Sequence, residues 1–127
     1  MTGPRPGSVA LVDVVEVVRR IREGGDRPDG PLVVDVRELH EVVVARIDGA
    51  VIVPMSEFER RHRELPFDRS LLIVCASGYR SGLAAQFLTS NGHPDAANVA
   101  GGMHAWERAG LPVKRGPLAP GEGAPGS

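Results

Sequence analysis

The chain has 127 residues, 42% of them hydrophobic, and a formal net charge of −1. This length suits one domain with its own core, and the charge balance offers no argument for nucleic acid or an acidic partner. One cysteine excludes an intramolecular disulfide and any zinc site built from several cysteines. The four histidines, His40, His62, His93 and His104, have no tight ligand spacing, and no apolar run approaches the ~18 residues that cross a bilayer. Residues 1–8 carry no apolar signal region. A cytoplasmic protein is expected, with no metal and no nucleic-acid or membrane partner. The densest basic cluster, Arg60, Arg61 and Arg63, sits beside Glu57, Glu59 and Glu64 and reads as a solvated helix face.

In chain order, residues 1–7 are rich in Gly and Pro and are expected to be flexible. Asp13 and Glu16 resemble a capping box opening a helix. Val14, Val17, Val18 and Ile21 follow at helical spacing, and Gly24 can end it. Leu32 to Val36 reads as a buried strand, Glu38 to Ala45 as a short helix, and Ala50 to Val53 as a strand stopped by Pro54. Ser56 and Glu59 suggest a second capping box, with a helix running to about His62. Leu71 to Val74 is the next strand. Leu83, Ala84, Phe87 and Leu88 predict the buried face of the following helix, which ends near Asn91-Gly92. Asn98-Val99 is a brief strand, and Met103 to Ala109 a last helix closed by Gly110 and Pro112. Strands alternating with helices imply an α/β domain with a largely parallel sheet covered on both faces. The folded body spans 8–113. In the tail, 114–127, seven of the twelve residues from Gly116 to Ser127 are Gly or Pro, a composition that predicts disorder.

In such sheets the site lies at the carboxyl ends of the strands. Cys75 occupies one such end, and Asp35-Val36-Arg37 another. Cys75 is followed by Ala76-Ser77-Gly78-Tyr79-Arg80-Ser81 and then by a helix. A helix N-terminus offers unpaired N–H groups and the positive end of a dipole, both of which favour a thiolate. The N–H groups of Ala76 to Arg80 can curl around the sulfur as an anion-binding nest, with Gly78 supplying any left-handed turn. Nucleophilic displacement at an anionic substrate, through a covalent sulfur intermediate, is the chemistry this loop suggests. The plainer alternative is a small buried hydrophobe at a strand end.

The segment Cys75-Ala76-Ser77-Gly78-Tyr79-Arg80-Ser81 closely resembles the active-site loop of single-domain rhodaneses. Three further segments agree in order and spacing. They are Val33-Val34-Asp35-Val36-Arg37-Glu38, the stretch Ile47-Asp48-Gly49-Ala50-Val51-Ile52-Val53-Pro54, and Asn98-Val99-Ala100-Gly101-Gly102-Met103-His104-Ala105-Trp106 with Ala109 to Val113. The resemblance implies a five-stranded, mainly parallel sheet flanked by helices on both faces. It implies a thiosulfate-type sulfurtransferase in which Cys75 takes a sulfane sulfur, from a donor such as thiosulfate or a low-molecular-weight persulfide, as a persulfide and hands it to cyanide or a thiol. On that carry-over Cys75 is catalytic, Ala76, Ser77, Gly78, Tyr79 and Arg80 bind substrate, and no cofactor is needed. The partners are a small-molecule donor and acceptor, with an acceptor protein as a further possibility.

Two positions depart from the family pattern. Arg46-Ile47-Asp48 stands where a His-Ile-Pro is common, and Ala76-Ser77 stands where thiosulfate enzymes carry basic residues. Arg80 is the one cation of the loop, and could either meet substrate or pair with Glu38 or Glu41. Asp35 and Arg37 are expected to be structural, Trp106 to be core, His104 to be exposed, and Tyr79 to stand at the loop crest. A cysteine phosphatase is the enzymatic rival, but its pattern places five residues between Cys and Arg where this chain has four. A sulfur-relay or protein-docking module is the rival from another class.

Overall fold

The computed structural model describes residues 9–24 and 27–125. The expected flexible start, residues 1–7, lies outside them. The elements are β1 (Ala10–Val12), α1 (Val14–Gly24), β2 (Leu32–Asp35), α2 (Leu39–Val42), β3 (Val51–Ile52) and α3 (Met55–Arg61), the last continued by a 3₁₀ turn over His62–Glu64. Then follow β4 (Leu71–Val74), α4 (Tyr79–Ser90), β5 (Ala96–Val99) and α5 (Gly102–Arg108). All strand pairs are parallel, in the order β1-β5-β4-β2-β3. Parallel neighbours need crossover connections, and the helices supply them. The expected five-stranded α/β architecture is therefore present.

The two faces of the sheet follow from strand alternation. Val34, Val36, Leu71, Ile73 and Ala96 face α3 and α4, where they meet Phe58, Ala84, Ala85 and Leu88. Val33, Leu72, Val74, Ala97 and Val99 face the other way, onto Val14 and Val17 of α1 and Met103 and Trp106 of α5. Each wholly buried Val or Leu contributes roughly 2 kcal/mol of transfer free energy, so the central strands β4 and β2 anchor the fold. Cys75 continues the Leu71–Ile73 alternation, which aims its side chain at α4.

Local details differ from the sequence expectations in instructive ways. Asp13 Oδ1 accepts the Glu16 N–H at 2.8 Å, but the Glu16 carboxylate turns to Arg19 and Arg20, leaving half a capping box. Ser56 lies inside α3, with Pro54 at the N-cap, and its hydroxyl donates to Glu38 at 2.7 Å. Leu83 is exposed, and the inward stripe of α4 is Ser81, Ala84, Ala85 and Leu88. This phase turns Ser81 inward, with its hydroxyl 3.2 Å from Cys75 Sγ. The edge strand β1 has no counterpart among the predicted elements.

The tail from Lys114 to Pro125 also differs from its composition-based expectation. Arg46 and Lys114 exchange two backbone hydrogen bonds at 2.9 and 2.8 Å, and Ile52 N–H donates to Gly123 O at 2.8 Å along the edge of β3. Arg46, 1% exposed, donates to Gly116 O at 2.7 Å, to Val42 O at 3.1 Å and to the Glu122 carboxylate at 2.7 Å. A buried guanidinium needs several acceptors, and the tail brings most of them. No helix among the described residues is long and apolar enough to cross a membrane.

Candidate active site

Cys75 is the first residue after β4, and α4 begins four residues later at Tyr79. The turn between them closes on Gly78, the N-cap of α4, at φ 108° and ψ −6°, a left-handed conformation that side chains disfavour. From that position Gly78 N–H donates to Cys75 Sγ at 3.1 Å. The Ser81 hydroxyl lies 3.2 Å from the same sulfur.

The carbonyl sides of this loop are held from outside. Met103 N–H donates to Cys75 O at 2.8 Å and His104 N–H to Ala76 O at 3.0 Å, so the first turn of α5 fixes both peptides. Such close approach requires Gly102: a Cβ there would lie 2.3 Å from Cys75 O. Asn98 Nδ2 donates to Gly78 O at 3.0 Å. With their carbonyls tied back, the loop peptides present N–H groups to the interior.

Cys75 is only 1% exposed, and burial pushes its thiol pKa up. The Ser81 hydroxyl and the backbone N–H groups of Ser81, Gly78 and Ser77 outweigh that effect, and the net result lies below the ordinary thiol value. A nest of donors around one sulfur can hold a thiolate or a sulfur-bearing anion, and it can support displacement at sulfur.

Both terminal nitrogens of Arg80 are taken up by a carboxylate, not by the sulfur. They bind Glu41 at 2.7 and 2.8 Å, in the fork geometry typical of guanidinium and carboxylate. That pair holds the Glu41 carboxyl down at about 2 and pushes the Arg80 pKa up. Tyr79 stands on the loop crest, 73% exposed, and Ser77 is also exposed. Of the six candidate residues, Gly78 contacts Cys75 Sγ directly and the Ser77 N–H favours its thiolate, while Ala76 is held through its carbonyl and the Tyr79 side chain points outward. Asp35 and Arg37 form a buried pair, Nη2 to Oδ2 at 2.8 Å, and Arg37 also donates to Ala45 O at 2.7 Å. Trp106 packs in the core and donates to Pro112 O, and His104 is exposed.

Three contributors were not assigned from sequence. Ser81 is part of the quoted motif, but its hydroxyl contact depends on the rotation of α4. Glu41 becomes the Arg80 partner through α2. Asn98 sits in β5 opposite Ile73, and its one sequence signal is a polar residue in an apolar strand. Among the described residues no group of three or more His, Cys, Asp or Glu side chains could hold a metal ion. An apolar cleft of about 500 Å³ lined by Val18, Ile21, Trp106 and Leu111 lies on the α1–α5 face, away from Sγ.

The sequence matches one family model, the rhodanese-like domain, over residues 13–109. A sulfurtransferase of Allochromatium vinosum is 39% identical over 82 residues, 65% of this chain and 77% of that protein. A thiosulfate sulfurtransferase of Actinobacillus pleuropneumoniae serotype 7 is 28% identical over 86 residues, 68% of this chain and 80% of that protein. The crystal structure of a rhodanese-related protein from Thermoplasma volcanium superposes with a TM-score of 0.74 at 28% identity, covering 83% of this chain and 97% of the other. The match spans 40% of one Bacillus subtilis relative and 58% of another.

Proposed function

The chain belongs to the rhodanese-like domain family, and from that premise we propose that it moves sulfane sulfur from a donor to a thiophilic acceptor through a persulfide on Cys75. The observation that carries this reading is the donor cradle, with Gly78 N–H 3.1 Å and Ser81 Oγ 3.2 Å from Sγ. In the first half-reaction the Cys75 thiolate attacks the outer sulfur of a donor RS–SH. The S–S bond of the donor breaks, RS⁻ leaves, and Cys75–S–SH forms. In the second, an acceptor thiolate or cyanide attacks the outer sulfur, and the Cys75 thiolate leaves. Cyanide gives thiocyanate and one proton; a thiolate gives a new persulfide. The cradle lowers the energy of the thiolate both as nucleophile and as leaving group.

The donor class follows from charge. Thiosulfate is a dianion, and the loop's one cation, Arg80, is fully engaged with Glu41. Low-molecular-weight persulfides, which need less counter-charge, suit this site better than thiosulfate. A second reading, relay to a protein, has its own support: Leu11, Tyr79 and Leu83 form an exposed apolar rim around a shallow pocket of about 340 Å³ beside the loop. Intact-mass measurement after exposure to glutathione persulfide tests the proposal. The expected product gains the mass of one sulfur atom, and Cys75→Ser gains none. No sulfur gain, together with turnover of a phosphate ester, would instead support a phosphatase.

A further inference from the structure

Asn98 is out of character for its position. Strand alternation sends Asn98 to the same face as Ala96, towards α4, where the surroundings are otherwise apolar. A buried amide there has to be fully satisfied, and its two atoms are. Nδ2 donates to Gly78 O at 3.0 Å, and Oδ1 lies 2.6 Å from Ser81 Oγ. Gly78 O can only accept, so the amide orientation is fixed, and Oδ1 faces Ser81 Oγ as an acceptor.

Ser81 has one hydroxyl proton and two candidate acceptors, Asn98 Oδ1 at 2.6 Å and Cys75 Sγ at 3.2 Å. All three residues are buried. We infer that Asn98 is a positioning residue for Cys75: its amide oxygen holds the Ser81 proton while Cys75 is a neutral thiol, and ionisation of Cys75 draws that proton to sulfur. In the thiol state Sγ–H donates to Ser81 Oγ, and Ser81 donates to Asn98. In the thiolate state Ser81 turns to sulfur and Oδ1 is left without its donor. The cost of leaving Oδ1 limits how far the cradle depresses the thiol pKa, and so keeps Cys75 able to accept and release sulfur. Meanwhile Nδ2 pins the Gly78 carbonyl, fixing the peptide whose N–H points at Sγ. The functional meaning rests on the sulfur-transfer reading, but the proton arrangement does not.

The test uses unloaded protein and no sulfur donor, so it can fail or succeed independently of sulfur transfer. The side-chain amide resonances of Asn98 are followed against pH, and the Cys75 midpoint is measured by thiolate absorbance on the same sample. The expected result is that the Asn98 amide titrates with the Cys75 midpoint, and that most of this movement disappears in Ser81→Ala. In that variant the Cys75 midpoint rises by about one pH unit, the loss of one hydrogen bond to an anion. Asn98→Leu lowers the midpoint when Ser81 is present relative to its effect in Ser81→Ala. An Asn98 amide that stays still through the Cys75 midpoint, or moves equally in Ser81→Ala, overturns the inference. Equal effects of Asn98→Leu with and without Ser81 also overturn it. If Asn98→Leu does not fold, the resonance experiment on wild type and Ser81→Ala stands alone.

Discussion

Cys75 alkylates only as the thiolate, so its rate of reaction with iodoacetamide reports its ionisation. The rate rises with pH and levels off above the midpoint. Because the surrounding N–H and hydroxyl groups favour the anion more than burial opposes it, that midpoint falls below the value of an ordinary thiol; a midpoint at or above the ordinary value contradicts the cradle. Cys75 stood out in the sequence because a lone cysteine between an apolar run and a helix start is a local pattern. The contributions of Ser81 and Asn98 did not, because one depends on the phase of α4 and the other on β4 and β5 lying side by side. Ile73 and Asn98 are register partners across β4 and β5, a relation that no spacing within one segment expresses.

At the scale of elements, two devices shape the site. The first is α5, whose opening turn binds the backs of the Cys75 and Ala76 peptides. Gly102→Ala forces a methyl group to within 2.3 Å of Cys75 O, so the loop and α5 must separate. We expect a loss of about 2 kcal/mol or more in stability, measured by denaturant unfolding, and slower alkylation of Cys75. The second is the Glu41–Arg80 pair joining α2 to the start of α4. Glu41→Gln releases the guanidinium near the sulfur and improves kcat/KM for thiosulfate by roughly fivefold relative to a persulfide donor, the scale of one screened charge interaction. Steady-state kinetics with both donors decides it, and an unchanged ratio would mean that Arg80 has no bearing on donor choice. Most element positions were legible because short apolar runs alternate with helical spacing. The phase of α4 was not, since Leu83 looked like core and Ser81 did not, whereas the sulfur reverses their roles.

For the whole molecule, the tail matters most. Composition counted its glycines and prolines but could not see Arg46, buried 70 residues and more away in sequence from Gly116 and Glu122. A buried guanidinium asks for acceptors, and the tail delivers most of them beside the edge of β3. Arg46→Met leaves these acceptors unpaired and should destabilise the protein by about 2 kcal/mol or more in denaturant unfolding. The ion pairs also make stability depend on acid. Arg46 holds the Glu122 carboxyl at about 2, and Arg80 does the same for Glu41, against an ordinary value of 4.5. Their folded values are depressed, so their stabilisation is complete above about pH 4.5 and is lost as the pH falls towards about 2. Unfolding free energy measured across that window should drop with acid, and less steeply in Glu122→Gln. All of this scaffolding converges on one sulfur atom. The most direct measurement is therefore the intact mass of the full chain after exposure to glutathione persulfide, followed by addition of an acceptor thiol. Sulfur transfer through Cys75 requires a gain of one sulfur atom that the thiol then removes; a wild-type protein that takes up no sulfur, or a Cys75→Ser variant that takes up as much, would rule it out.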